Sequence, residues 1–220
     1  SLALKEGESG DDLDAQPYQF KAFRALLEAL EVDEYEAVQL TDAIRDWTDK
    51  DTQLVSSNGA EDAYYEGLNP PYLVANQWLL GTDELRAVRG VSSELYARLA
   101  PYVCTLPNDK LVVNINTIKP EQAALLVGLY QGKIGLDDAK RVLTNRPKKG
   151  WKEKKEMTDE LSIQPGSITG LDGALDIKSS FFEARLLAEV GDVRARLETV
   201  FLRGKDNKLV MLRRLSGGAE

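Results

Sequence analysis

The stretch from Asp46 to Tyr72, DWTDKDTQLVSSNGAEDAYYEGLNPPY, holds the side chains with the most chemical promise. Asp46, Asp49 and Asp51 fall within six positions, and Glu61 and Asp62 follow across a turn-rich gap. Carboxylates gathered in a compact loop either repel one another in water or hold something positive. Calcium takes roughly six to eight oxygen ligands, and clustered carboxylates plus loop carbonyls supply them. Asp49-x-Asp51 echoes the opening of an EF-hand loop, but Leu54 stands where glycine is needed, Ala60 where the last glutamate is needed, and Glu61 comes one place late. The expectation is therefore an irregular calcium site in which Asp49, Asp51, Glu61 and Asp62 converge. Asp46 joins the set because it sits near a helix C-terminus, where the macrodipole disfavours an uncompensated negative charge. The plain alternative is a solvated loop with Asp46 facing water.

Other chemistries fit less well. Magnesium keeps several waters and uses few protein ligands. Paired carboxylates also act in glycoside hydrolysis, but both acidic pairs lie on one loop and no aromatic-lined groove accompanies them. The chain contains no histidine, which removes the commonest general base, the commonest zinc ligand and every Ser-His-Asp arrangement. Its single cysteine, Cys104, reads as a small buried hydrophobe. The formal net charge of −8 argues against nucleic acid, whose binders normally carry a basic excess.

Helices must position the acids. In YQFKAFRALLEAL, Phe20, Phe23, Leu26, Leu27 and Leu30 recur at helical spacing. In VDEYEAVQLTDAIRDW, Tyr35, Val38, Ala43, Ile44 and Trp47 do the same behind Asp33, a plausible N-cap. The acidic loop leaves this helix and ends before Pro70 and Pro71. Two short helices come next, at GTDELRAVRG with Thr82 as cap and at VSSELYARLAPY from Ser92. Two more are expected after Thr117 and up to Pro147. The basic run RPKKGWKEKKE at 146–156 reads as exposed, and 158–175 as Gly/Ser/Asp-rich loop.

The period then changes. Val193, Ala195, Leu197, Thr199 and Phe201 alternate with Arg194, Arg196 and Glu198, and Gly191-Asp192 and GKDN are hairpin signals. Three antiparallel strands after an all-helical middle make an α+β chain with segregated halves. Such a sheet, apolar on one face, needs a covering surface. No run of about 18 apolar residues is present to span a membrane.

The helix pairs around Gly90 and at GLYQGKIGLDD look like helix-hairpin-helix modules, which hold phosphate on a glycine-rich hairpin. A nucleic-acid-binding module is therefore the alternative reading. Acids beside both hairpins weaken it, and the pairs read as packing units.

DWTDKD, GAEDAYY, NPPYLVAN, ELRAVRGVSSELYARLAPYV, LVVNINT and SSFFEARLLAEVGDVRARLETVFLR occur here in the order that resembles minor pseudopilin K of type II secretion systems, from about residue 20 to residue 203. The resemblance implies a pilin-like antiparallel sheet at the C-terminus with a large inserted all-helical domain. It implies a subunit, not an enzyme, that caps the pseudopilus tip with minor pseudopilins I and J, with the exported protein or the secretin channel as further contacts and no nucleic acid. It implies calcium in the helical domain, matched here to Asp46, Asp49, Asp51, Glu61 and Asp62. It places the protein in the inner membrane and periplasm through an N-terminal helix absent from this chain, which then reads as a soluble fragment. The expected layout is a polar remnant of the pilin-like domain at 1–16, the inserted domain with two helix-hairpin-helix-like units at 17–157, and a connecting loop and sheet at 158–220.

Overall fold

The computed structural model describes residues 16–218 apart from positions 109, 162, 164, 165 and 205. The expected polar remnant at 1–16 lies outside these residues except for Gln16, which is buried. The chain forms two compact units that divide between Ile177 and Lys178.

The first unit is helical. Helix α1 (Tyr18–Ala29) buries Phe20, Phe23, Leu26 and Leu27 along one stripe. It closes where Glu31 turns to φ 61 and the Val32 N–H donates back to the Leu27 carbonyl at 3.0 Å. Helix α2 (Glu34–Thr48) starts at Asp33, whose carboxylate accepts the Tyr35 N–H at 2.9 Å. Its inner face is Ala37, Leu40, Ala43, Ile44 and Trp47. Tyr35, expected on that face, is 64% exposed. It precedes Ile44 by about 2.5 turns and so points the opposite way.

Short helices α3 (Asp62–Tyr65) and α4 (Ser93–Leu99) complete the first core, with α4 capped by the Ser92 hydroxyl, which accepts the Leu95 N–H. The segment expected to start at Thr82 is a tight 3₁₀ turn, Thr82–Ala87, preceded by Gly81. A second core gathers around α5 (Ala123–Leu129), α6 (Leu136–Asn145) and α7 (Lys154–Thr158). Helices α1 and α5 pack at very close range. A Cβ on Gly128 would lie 2.8 Å from both the Ala22 carbonyl oxygen and the Leu26 Cβ.

Residues 158–177 belong with the second core. Leu161, Ile168, Ala174 and Leu175 are buried there, the last two from α8 (Leu171–Ala174) and from β2 (Leu175–Asp176), which pairs in parallel with β1 (Val113–Asn114). The apolar residues are too widely spaced among Gly, Ser and Asp to show a period. The basic run is also partly built in. Lys148, Lys149, Lys152 and Lys155 are exposed, but Arg146 donates to the Ile118 carbonyl at 2.6 Å and Trp151 is buried. Asn116 clamps Trp151 from both sides, accepting its N–H at 2.8 Å and donating to its carbonyl at 3.0 Å. Cys104, expected inside, is exposed in the irregular segment after α4. That segment has no regular structure to turn one side inward.

The second unit is an antiparallel sheet of β3 (Phe181–Val190), β4 (Val193–Arg203) and β5 (Leu209–Gly218) in that order. Gly191 at φ 60 makes the first turn without the cost a side chain would bring. The register pairs Phe182 with Phe201, Leu186 with Leu197 and Val190 with Val193. These share one face because side chains alternate along a strand. On the other face Arg185 meets Glu198 at 3.7 Å and Arg194 meets Glu189 at 3.0 Å. The apolar face is open within this unit, with Leu186 57%, Val190 78% and Val193 69% exposed.

The close contact of α1 and α5 gives a prediction. Gly128→Val puts a branched side chain against main chain that cannot yield, and should cost about 1–3 kcal/mol in urea unfolding. An unchanged midpoint would contradict the packing described.

Candidate metal centre

The last turn of α2 builds the site. Asp46 is fully buried, and its carboxylate reaches into the following loop, accepting the Val55 N–H at 2.9 Å and the Ala60 N–H at 2.7 Å. The loop thereby folds back over the end of the helix that it leaves. Asp42, one turn earlier, accepts the Ser56 hydroxyl at 2.6 Å and pairs with buried Arg45 at 3.5 Å. The Arg45 guanidinium lies 4.8 Å from the centre of the Phe20 ring. Asp51 accepts the Gln53 N–H at 2.8 Å, an Asx turn that starts the loop. At its far end Arg89 donates to the Gly59 carbonyl at 2.9 Å and covers the Tyr64 ring at 4.8 Å.

This folding brings Asp49, Asp51 and Glu61 together, with one oxygen of each within 4.8 Å of the others. Asp49 lies just past the end of α2 and Glu61 just before α3. Asp62, the first residue of α3, accepts the Val74 N–H at 3.1 Å. Of the five acids singled out in the sequence, three thus face one another. Asp46 and Asp62 have carboxylates engaged by backbone donors. The macrodipole argument for Asp46 has its counterpart in those two N–H groups, which offset the unfavourable position at the helix end.

The electrostatics are unusual for a loop. Asp49 Oδ1 and both Glu61 oxygens are buried without a hydrogen-bond partner. Burial pushes Glu61 up to about 8, with the charges of Asp46 and Asp49 adding to it. Burial likewise raises Asp49 to about 7, reinforced by Asp51 and Asp46, while Arg45 offsets part of the effect. Asp46 rises to about 6 through burial, held down in part by its two backbone donors. Unpartnered buried oxygens normally cost free energy. Here three carboxylates leave room for either protons or a cation. The donor set is all oxygen, which suits a hard cation such as calcium and not a thiolate- or imidazole-seeking metal. The residues present therefore fit calcium, which Asp49, Asp51 and Glu61 could hold through their side chains.

The sequence marked the acids but not their supports. Gly59, Arg89 and the backbone N–H groups of Val55 and Ala60 carry no motif of their own. The SSNG turn before Ala60 was the one available signal.

Two models of type II secretion system protein K match the chain, one over residues 2–108 and the other over residues 113–178. The chain belongs to this protein K family. It is 78% identical over all 220 residues to type II secretion system protein K of Aeromonas hydrophila, of which it covers 66%. It is 40% identical over 194 residues to protein K of Dickeya chrysanthemi, covering 88% of this chain and 53% of that protein. It thus spans between half and two thirds of these relatives. The fold matches a chain in the crystal structure of the GspK-GspI-GspJ complex of enterotoxigenic Escherichia coli, with a TM-score of 0.81 and 27% identity over 99% of this chain and 74% of that one. The α+β arrangement ending in a three-stranded antiparallel sheet is thereby a protein K fold, and the nucleic-acid reading gains no support. No helix among the described residues is long and apolar enough to cross a membrane.

The raised acids give a pH prediction for the metal-free chain. Unfolded Asp and Glu titrate near pH 4, whereas folded Asp49 and Glu61 hold protons up to about 7 and 8. Between those limits the folded state binds more protons, so stability falls as pH rises. In chelator, the melting temperature should drop steadily from about pH 4 to pH 8, the span between the cited values. Glu61→Gln, which needs no proton, should flatten the upper part of that slope. A variant that tracks wild type across the whole range would show that Glu61 is not the strained group.

Proposed function

We propose that this chain is the helical and sheet portion of a minor pseudopilin that works in the inner membrane and periplasm and caps the tip of the type II secretion pseudopilus. It acts as a structural assembly subunit, without a reaction of its own, in a complex with minor pseudopilins I and J. Membership of the protein K family carries this reading, and the likeness to a chain from a complex of GspK, GspI and GspJ supports the choice of partners. The open apolar face of β3 and β4 supports it independently. A strand face bearing Leu186, Val190 and Val193 in solvent is what a pilin-like sheet presents when its long N-terminal helix is not on it. The exported protein or the secretin channel is the natural contact of a tip.

The mechanism is steric and adhesive. The helical unit is too bulky to permit another subunit to stack above it, which ends the filament. Calcium at Asp49, Asp51 and Glu61 would neutralise charges that otherwise strain the end of α2, and its binding free energy would add to folding stability.

Two measurements test this. With free calcium at about 100 times its Kd, the fold should gain about 2.7 kcal/mol over the chelated protein. The gain should vanish in Asp49→Asn/Glu61→Gln. A melting temperature that ignores both chelator and calcium would remove the metal. Separately, the chain mixed with the periplasmic domains of its own I and J pseudopilins should elute from a sizing column as one ternary species. Separate elution at micromolar concentration would remove the proposed assembly.

A further inference from the structure

Asp46 lies beside the acidic cluster, yet its geometry differs from that of the other acids. It is wholly buried, and its two oxygens accept one N–H from Val55 and one from Ala60, on opposite arms of the loop. Glu61 follows Ala60 directly, and Asp49 and Asp51 precede Val55 by a few residues. One carboxylate thus fixes both ends of the segment that must close for the cluster to form. Gly59 is fitted to it. A Cβ at that position would stand 2.0 Å from Asp46 Oδ2 and 2.9 Å from Asp46 Cγ. Gly59 is not among the glycines with positive φ, and the three atoms nearest that Cβ all belong to the Asp46 carboxylate. The outer side of the same residue is held too, because the Gly59 carbonyl accepts from Arg89 at 2.9 Å.

We infer that Asp46 is not a metal ligand but the positioning residue of the site, an internal anchor that draws the two arms of the loop together, with Gly59 reserved as the space its carboxylate needs. This rests on the calcium reading of Asp49, Asp51 and Glu61, but its scaffold half can be measured without metal. Outer-shell partners that orient ligands typically contribute about 10–100-fold to metal affinity.

The experiment uses the 220-residue chain and calcium itself. In chelator, amide hydrogen exchange should show Val55 and Ala60 protected in wild type and fast in Asp46→Asn. Calorimetry should show calcium affinity reduced about 10–100-fold in Asp46→Asn. Gly59→Ala removes no charge and no candidate ligand, yet should lower affinity to a similar degree. In an Asp46→Ser background the carboxylate is gone, so adding Gly59→Ala should change affinity no further. If Gly59→Ala binds calcium like wild type and keeps both amides protected, or if the two substitutions add, the positioning role is overturned. If wild type takes up no calcium while Asp46→Asn still exposes the two amides, the metal reading fails and the anchor stands.

Discussion

More negative charge is folded under the end of α2 than the surrounding backbone can satisfy. Asp46 uses two N–H groups, Asp62 one and Asp51 one. One oxygen of Asp49 and both of Glu61 are buried with nothing donating to them. Exposure would relieve the strain, but the acids are not free to move out. Asp46 is tied into the loop, Asp49 follows the last turn of a helix whose inner face is core, and Glu61 leads into α3, whose Tyr65 is buried. The arrangement therefore favours neutralisation of these acids, by the protons their raised pKa values hold or by a cation.

The same loop organises the segment on its C-terminal side. Tyr65 packs edge-on against Trp47 with ring centroids 5.1 Å apart, and Tyr72 lies 5.3 Å from Tyr65. Trp47 donates to Glu84 at 3.0 Å, and the Tyr72 hydroxyl donates to the Ala87 carbonyl at 2.8 Å. Arg89 then returns to Gly59. The segment from Asp62 to Arg89 contains little regular structure, so these side-chain contacts stand in for the backbone ladders of a helix or sheet. They converge on the end of α2 and on the loop that the acids close. Neutralising the acids would steady this first core at its least regular edge, which is where a metal adds most to a fold assembled from short elements.

How much was legible in the sequence depends on how local each cause is. The α1 stripe, the Asp33 cap and the helix start at Ser92 depend on residues within a few positions and appear as expected, whereas the cap expected at Thr82 gives way to Gly81 ahead of a 3₁₀ turn. The three long strands and the Gly191 turn do as well, because a period of two and a hairpin glycine are local signals. Tyr35 shares the rough apolar spacing of α2 but falls half a turn away from Ile44, so it points outward. The burial of Trp151 depends on Asn116, a partner far along the chain, and no window around the basic run contains it. At the site, the acids were visible by type, but that Asp49, Asp51 and Glu61 converge while Asp46 and Asp62 stay outside the cluster is a tertiary fact. It turns on which N–H groups the loop presents, and the sequence marks those only through Gly59.

The sheet shows a constraint of the opposite kind. On its charged face Arg185 and Arg194 find acids on the neighbouring strand or on their own. Its apolar face is long, continuous and open within the unit, although a three-stranded sheet gains most of its stability by burying one side. Strands of ten or eleven residues with cross-strand pairs of Phe, Leu and Val would invite non-specific association if that side stayed wet. The separation is not complete, because Leu187 and Leu215 stand 59% and 52% exposed on the charged side and Arg214 lies opposite Thr199 on the apolar one. A covering element on the Phe182–Phe201 side meets mainly Phe, Leu and Val of β3 and β4, whereas one on the other side also buries the ion pairs, which can cost more than their attraction returns.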